Sequence, residues 1–340
     1  MSPTVGPAAG PRETRLGRSG VAVGELALGA AALGNLFTPV DDDEAARTVA
    51  AAWESGVRYF DTAPHYGLGL SERRLGDALR GLPRTGYRLS TKVGRLLEPV
   101  ERVHGDDLAA GFAVPATHRR RWDFSAQGVR RSVTASLERL GLDRIDIAYL
   151  HDPDQHVEQA LDEAYPELER LRAEGVVGAI GVGTNQAAVP ARFVRDTDID
   201  AVLLAGRYSL LDQSGLTELL PLAAERGVGV VIGGVFNSGL LADPRPGATF
   251  DYAPAPDDLL ARALAVREVC ERHGVPLRAA ALRFPFGHPA VASVLVGARS
   301  AAEARDAAAM LAHPVPAALW ADLTARGLLD PTVPAPEEAH

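Results

Sequence analysis

Lysine is all but missing from this chain. Of 35 lysine and arginine side chains, 34 are arginine, and the one lysine is Lys92 in the stretch "YRLSTKVGR" (87–95). Cysteine is nearly as scarce: a single Cys270 excludes an intramolecular disulfide, which suits a reducing, cytoplasmic compartment. Its helical surroundings predict an inert, partly buried thiol. No segment reaches the roughly 18 consecutive apolar residues of a membrane span, and the N-terminus has no signal-like apolar core. Aromatics make up only 6% of the residues, so a core of Ala, Leu and Val is expected. Positive charge is also short. The formal net charge of −9 provides no broad footprint for nucleic acid or an anionic membrane. The one basic cluster, "HRRRW" (118–122), reads as a solvated loop.

What is there is a regular alternation. Residues 1–13 and 331–340 are polar and proline-rich and read as disordered tails. Residues 14–330 read as one domain. "TRLGRSGVAV" (14–23) predicts a hairpin turning at Ser19-Gly20. Eight short apolar runs follow: 26–29, 57–61, 87–92, 146–151, 177–183, 201–205, 229–234 and 293–297. Each is too apolar for a sheet with a wet face. Helical patterns over 42–56, 71–81, 125–141, 157–175, 186–196, 214–227, 257–273 and 300–310 separate or follow them. Several of these start after Ser or Asp and end at Gly. Pro166 and Pro190 predict local breaks in their helices. Eight strands alternating with eight helices point to a single α/β (β/α)8 barrel with an N-terminal β-hairpin. A doubly wound nucleotide fold would need a Gly-rich fingerprint, and both "GLGLSE" (67–72) and "GVGTNQ" (181–186) lack its third glycine.

Barrel chemistry sits at the C-terminal ends of the strands. Asp61 ends the second run, Lys92 the third and His151 the fourth, while Tyr66 follows Asp61 in the loop "TAPHYGLG". Singly, each has an ordinary structural use: a strand-end cap, a surface charge, a packing ring or a satisfied core histidine. Jointly they make a proton-transfer group. An ammonium favours the phenolate of a neighbouring tyrosine, an aspartate holds that ammonium, and a forked guanidinium would not fit beside a phenol oxygen. Tyr66 is then a general acid and base, with His151 placed to bind the same substrate oxygen. Asp152 and Asp154 read as loop structure.

With those residues in view, "FDTAPHYG", "STKVGR" and "YLHDPD" resemble the Asp, Tyr, Lys and His motifs of the aldo-keto reductases. The likeness runs from about residue 14 to about 311. "APHYGLGLSERRLG", "LLAGRYSLLDQ" and "GGVFNSGLL" are most similar to the aldose 1-dehydrogenase branch, with its L-fucose, D-threo-aldose, L-galactose and pyridoxal 4-dehydrogenase-like members. The resemblance implies hydride transfer between C4 of NAD or NADP and an aldose C1 or a related carbonyl, with no metal. Its partner would be a small-molecule substrate, and the protein a monomer or small homo-oligomer. Asn185 is implied at the nicotinamide carboxamide. The loop "FNSGLL" (Phe236, Asn237, Ser238, Gly239, Leu241) is implied around the pyrophosphate. Gly297, Arg299 and Glu303 are implied near the adenosine ribose, where "GARS" opens a helix with free N–H groups. Glu303 favours NAD, since a carboxylate accepts from a 2′-OH and repels a 2′-phosphate; Arg299 pulls the other way. The sequence departs from the family pattern where Ala205 replaces a Gln and Gly233 replaces the ring-stacking Tyr.

The connection 93–124 is too long for a plain barrel turn and reads as a lid. Within it Trp122 and Phe124 are the substrate-lining candidates. Two rival readings stay open: a cofactor-binding sensor or channel subunit on the same barrel, and a metal-dependent hydrolase using His65, His151 and Asp152. The hydrolase reading lacks a His-x-His pair.

Overall fold

The computed structural model describes residues 13–336. Eight parallel strands close into a barrel: β1 (Leu26–Gly29), β2 (Tyr59–Asp61), β3 (Arg88–Val93), β4 (Ile145–His151), β5 (Val177–Thr184), β6 (Ala201–Ala205), β7 (Gly229–Gly233) and β8 (Val291–Gly297). Neighbours pair in chain order, and β8 closes the circle on β1 through the register Leu295↔Ala27. The main helices outside are α1 (Asp42–Glu54), α2 (Leu70–Leu79), α3 (Ala126–Leu140), α4 (Tyr165–Ala173), α5 (Ala188–Asp196), α6 (Leu219–Arg226), α7 (Asp257–Arg272), α8 (Leu277–Arg283), α9 (Ala301–Leu311) and α10 (Ala317–Ala325).

Cap chemistry starts these helices where the sequence places it. Asp41, Ser125 and Ser300 each accept a backbone N–H from the first turn of α1, α3 and α9. Pro166 follows a π-helical turn over Ala160–Ala164, so the predicted break is there. Pro190 sits in the first turn of α5 and breaks nothing, because a proline there costs no intrahelical bond. Helices α8 and α10 escaped the sequence reading.

The hairpin pairs Glu13–Arg15 with Ala22–Gly24, and Ser19 shapes its turn by donating to Leu16 O. Leu16 is fully buried with Tyr59, Tyr149, Val231 and Ala292, so the hairpin plugs the lower mouth of the barrel. Glu13 therefore belongs to the fold and not to a tail; residues 1–12 lie outside the described residues. At the other end, the middle of 331–336 packs on the barrel while Pro331, Thr332 and Ala335 stay exposed: Val333 touches the main core, and a side chain on Gly287 would collide with Pro334 O. That corrects the tail expected from 331 onward for its described part. Cys270 is fully buried, and burial pushes its thiol up to about 12, which leaves it inert.

The connection 93–124 folds into two antiparallel pairs, Arg95–Pro99 with His118–Trp122 and Asp106–Asp107 with Phe112–Pro115. The "HRRRW" run is thus a strand, not a solvated loop. Acidic partners take up its charge: Arg119 and Arg121 pair with Glu98, and Arg120 forks onto Asp107 at 2.5–2.7 Å while donating to His65 O.

Candidate active site

A chain of buried hydrogen bonds inside the barrel fixes the first functional group. The Tyr149 and Tyr59 hydroxyls lie 3.2 Å apart, Tyr59 donates to Ser90 Oγ at 3.1 Å, and Ser90 donates to Asp61 Oδ1 at 2.7 Å. Lys92 Nζ then donates to Asp61 Oδ2 at 2.6 Å and to Thr62 O at 2.9 Å. These residues sit on adjacent strands: Asp61 pairs with Ser90 across β2/β3, and Lys92 with Tyr149 across β3/β4. Their side chains reach one interior because inward positions alternate along each strand.

Tyr66 lies above this chain, with Lys92 Nζ 4.7 Å from its ring centroid. The His151 ring stands edge-on to Tyr66 at 6.0 Å between centroids. All four residues predicted as catalytic are therefore gathered at the upper mouth. Burial pulls the Lys92 ammonium down, but Asp61 and Tyr66 outweigh it and hold the ammonium above its ordinary range. The phenol of Tyr66 departs from the expected lowering. Burial raises it above 10 and Lys92 only partly opposes this, so the resting group is a hydroxyl. Burial, with Arg95 and Lys92 nearby, holds His151 well below its usual range, and the ring is neutral.

A cavity of about 540 Å³ opens on these groups. Its wall takes in Tyr66, Lys92 and His151, with Asp152 beside them, and Leu36, Phe37, Phe112 and Tyr252 as an apolar rim. Six of its lining residues that are not glycine have positive φ: Phe37 (62°), Asp152 (44°), Asn237 (46°), Ser238 (57°), Asp251 (47°) and Tyr252 (64°). Backbone strain at about 1–3 kcal/mol each is thus concentrated around one opening, as at ligand clamps. Phe37 and Tyr252 meet across it at 5.8 Å between ring centroids.

The two substrate-lining candidates are misplaced by the sequence reading. Phe124 is wholly buried beneath Gly94, whose missing side chain leaves the room its ring fills. Trp122 is 42% exposed and lies outside the cavity, stacked on Phe124 and on the Arg95 guanidinium at 4.3 Å. Phe112 from the same connection lines the cavity instead, packed with Leu68 and Val114. Phe37 and Tyr252 were missed. An exposed aromatic in a loop carries no periodicity signal, and only the fold brings these two together.

Of the implied cofactor residues, Asn185, Asn237 and Ser238 line the cavity. Gly183, Ala205, Gly206 and Gly234 give that part of the wall almost no side chains, leaving a flat face where a planar ring can lie on backbone. This fits a nicotinamide without a stacking tyrosine. Leu241 is wholly buried and Phe236 packs on the main core, so neither side chain lines the cavity. Gly239, Gly297, Arg299 and Glu303 lie outside the lining; Arg299 reaches Thr38 Oγ1 at 2.7 Å, next to the rim residue Phe37.

Two of the N–H groups opening α9, those of Ala301 and Glu303, are already taken, so the start of the helix is less free than expected. Ser300 Oγ accepts from Glu303 N, Glu303 Oε2 accepts from Arg299 N at 2.9 Å, and Glu44 Oε1 accepts from Ala301 N at 2.9 Å. The Glu303 bond is a variant of the capping box, a pattern readable from Ser-x-x-Glu; Glu44 comes from α1 and was not readable. Among the described residues no group of three His, Cys, Asp or Glu side chains could hold a metal ion. No described helix is long and apolar enough to cross a membrane.

The aldo/keto reductase family model matches residues 25–326. A D-threo-aldose 1-dehydrogenase of Pseudomonas is 48% identical over 316 residues, covering 92% of this chain and 96% of its own. Pyridoxal 4-dehydrogenase of Microbacterium luteolum is 42% identical, covering 92% and 97%, and L-galactose dehydrogenase of Arabidopsis thaliana is 34% identical, covering 86% and 85%. Among solved structures, the holo form of an aldo-keto reductase from Bacillus halodurans superposes with a TM-score of 0.74 at 28% identity, covering 95% of this chain and 98% of that one.

Proposed function

The chain belongs to the aldo/keto reductase family, and we propose that it oxidises the anomeric carbon of an aldose with NAD, Tyr66 serving as the proton acceptor. Family membership makes it an NAD(P)-dependent oxidoreductase of aldoses or aldehydes. The aldose reading leans on the 48% identity to a D-threo-aldose 1-dehydrogenase. One observation carries the chemistry: Lys92 Nζ is clamped by Asp61 at 2.6 Å directly beside the Tyr66 ring, at the floor of the cavity.

The residues divide the work as follows. Neutral His151 donates a hydrogen bond to the substrate oxygen and fixes its place. Tyr66 accepts the proton leaving that oxygen in oxidation, or supplies it in reduction. Lys92 stabilises negative charge on the phenol oxygen, and Asp61 keeps the ammonium aimed and charged. The apolar rim of Phe37, Phe112 and Tyr252 excludes water from these groups. Asn185, Asn237 and Ser238 would hold the cofactor; when bound, its nicotinamide takes up or releases the hydride.

The choice of NAD in this proposal is supported by the charges around the start of α9. Both carboxylates at its start, Glu44 and Glu303, already occupy N–H groups and would repel a 2′-phosphate. Assaying L-fucose, L-galactose, D-arabinose, pyridoxal and simple aldehydes with both cofactors tests the proposal. We expect aldose oxidation with NAD, and a loss of about 10²–10⁴-fold in kcat for Tyr66→Phe with cofactor binding retained. Retention of more than a tenth of the rate in that variant would assign the proton to another group.

A further inference from the structure

We propose that Asp152 selects the sugar by accepting a hydrogen bond from the hydroxyl on C2, the carbon next to the reacting one. This rests on the aldose reading above.

Asp152 lines the cavity immediately after His151 and keeps 37% of its side chain exposed. Its backbone is in the left-handed region, φ 44° and ψ 58°, a conformation aspartate tolerates better than most residues. Asp152 N donates to Gly183 O at 2.9 Å, which anchors the bend to β5. The carboxylate is held from behind. Arg95 pairs with Oδ2, and that guanidinium is itself buried and laid on the Trp122 ring at 4.3 Å. Oδ2 also lies 3.7 Å from His151 Nε2. Oδ1 makes no hydrogen bond among the described residues. The cavity thus offers a fixed carboxylate with a vacant acceptor beside the histidine that holds the reacting oxygen. Around it stand the apolar Phe112, the Lys92 ammonium and His65, whose imidazole burial and the neighbouring cations hold neutral.

A carboxylate accepts and does not donate. Around C1 of a cyclic aldose, the reacting oxygen has two polar neighbours, the ring oxygen and the C2 hydroxyl. Only the hydroxyl can donate, so Asp152 turns the C2 edge of the ring toward itself and the ring oxygen away. A plain aldehyde has nothing to offer this group and gains nothing from it. Arg95 is the positioning partner: burial raises the Asp152 carboxyl, Arg95 opposes that rise, and it absorbs the other oxygen.

D-arabinose and 2-deoxy-D-ribose differ only in the C2 hydroxyl and make a matched pair. In the wild type with NAD, kcat/KM should favour D-arabinose by at least tenfold, the scale of a hydrogen bond to a charged group. Asp152→Asn preserves the shape, and NADH binding followed by fluorescence checks that the site is intact. The variant should lose at least tenfold on D-arabinose through KM while staying within twofold on the deoxy sugar. Equal loss on both sugars, or no loss on either, overturns the proposal, as does a wild type indifferent to the hydroxyl. A wild type that reduces methylglyoxal yet turns over neither sugar overturns the aldose reading itself and this one with it.

Discussion

Gly34 lies flat against the backbone of Tyr66: a Cβ placed on Gly34 would stand 2.7 Å from both the carbonyl carbon and the oxygen of Tyr66. The loop carrying the phenol is thus seated on a position without a side chain. Gly67, at φ 61°, faces back onto Gly34 from the other side. Gly34→Ala must push the Tyr66 loop away from Lys92. We expect kcat to fall by about 10²-fold, since displacements near 1 Å are worth that much. Unfolding by urea should change far less. Wild-type kcat in the variant would show that the loop has slack.

Lys92→Arg should damage turnover although it keeps the charge. The ammonium is 2% exposed and fits between Asp61 Oδ2 at 2.6 Å and Thr62 O at 2.9 Å. A guanidinium cannot enter that space without moving Asp61 from Ser90 or displacing the Tyr66 ring. A loss of about 10²-fold or more in kcat is expected. An unchanged kcat and pH profile would make the sole lysine irrelevant to the reaction.

This lysine is the most legible residue in the chain, because its rarity alone marks it. The strand-end positions of Asp61, Lys92 and His151 are equally readable, since apolar runs ending in a polar residue give both the strand and its mouth. The rim is not. Phe37 and Tyr252 are 215 residues apart in loops (252 − 37), and no periodicity links them. Trp122 and Phe124 mislead because an aromatic in a long connection reads the same whether it faces the cavity or fills the space above a glycine. The acid–base state of Tyr66 is hidden for another reason. A nearby ammonium is visible in sequence, but the depth of burial that outweighs it is not.

That burial sets the pH dependence. In the proposed mechanism oxidation needs the deprotonated Tyr66 oxygen, and burial raises that phenol from its ordinary value against the opposing pull of Lys92. The oxidation rate should therefore climb with pH through neutrality and reach no plateau below 10. Reduction uses the protonated hydroxyl and should stay flat over the same span. His151 titrates well below its usual range, so neither profile should show a limb near pH 6–7. Rate profiles in both directions check this; an oxidation plateau at pH 7 would mean that the phenol is far more acidic than its surroundings make it.

Helix packing offers a test of stability apart from chemistry. Gly76 in α2 faces the backbone of Leu140 at the end of α3, and a Cβ there would collide with the Leu140 carbonyl. Alanine normally favours a helix over glycine by about 1 kcal/mol. Here overpacking should win, leaving Gly76→Ala about 1–3 kcal/mol less stable. Urea unfolding decides the sign. A stabilised variant would mean that α2 and α3 can separate freely.

The proposed preference for NAD rests on the start of α9. There Glu44 accepts from Ala301 N, and Glu303 accepts from Arg299 N just ahead of the helix, while the Arg299 guanidinium is turned to Thr38. A 2′-phosphate arriving there would meet two negative charges before it met a donor, whereas a ribose 2′-OH could donate to either. The wild type should favour NAD in kcat/KM. Glu303→Arg should shift the ratio toward NADP through KM, with kcat little changed, because Glu303 lies outside the cavity that holds Tyr66 and His151. The same change removes a helix-capping bond, so stability should fall by roughly 0.5–2 kcal/mol. Glu303→Gln separates the two effects: it retains an acceptor for Arg299 N and loses only the charge, and should relax the preference without the stability loss. Steady-state constants for both cofactors with one aldose, measured beside thermal unfolding, decide it. A wild type preferring NADP tenfold or more would overturn the reading of both carboxylates.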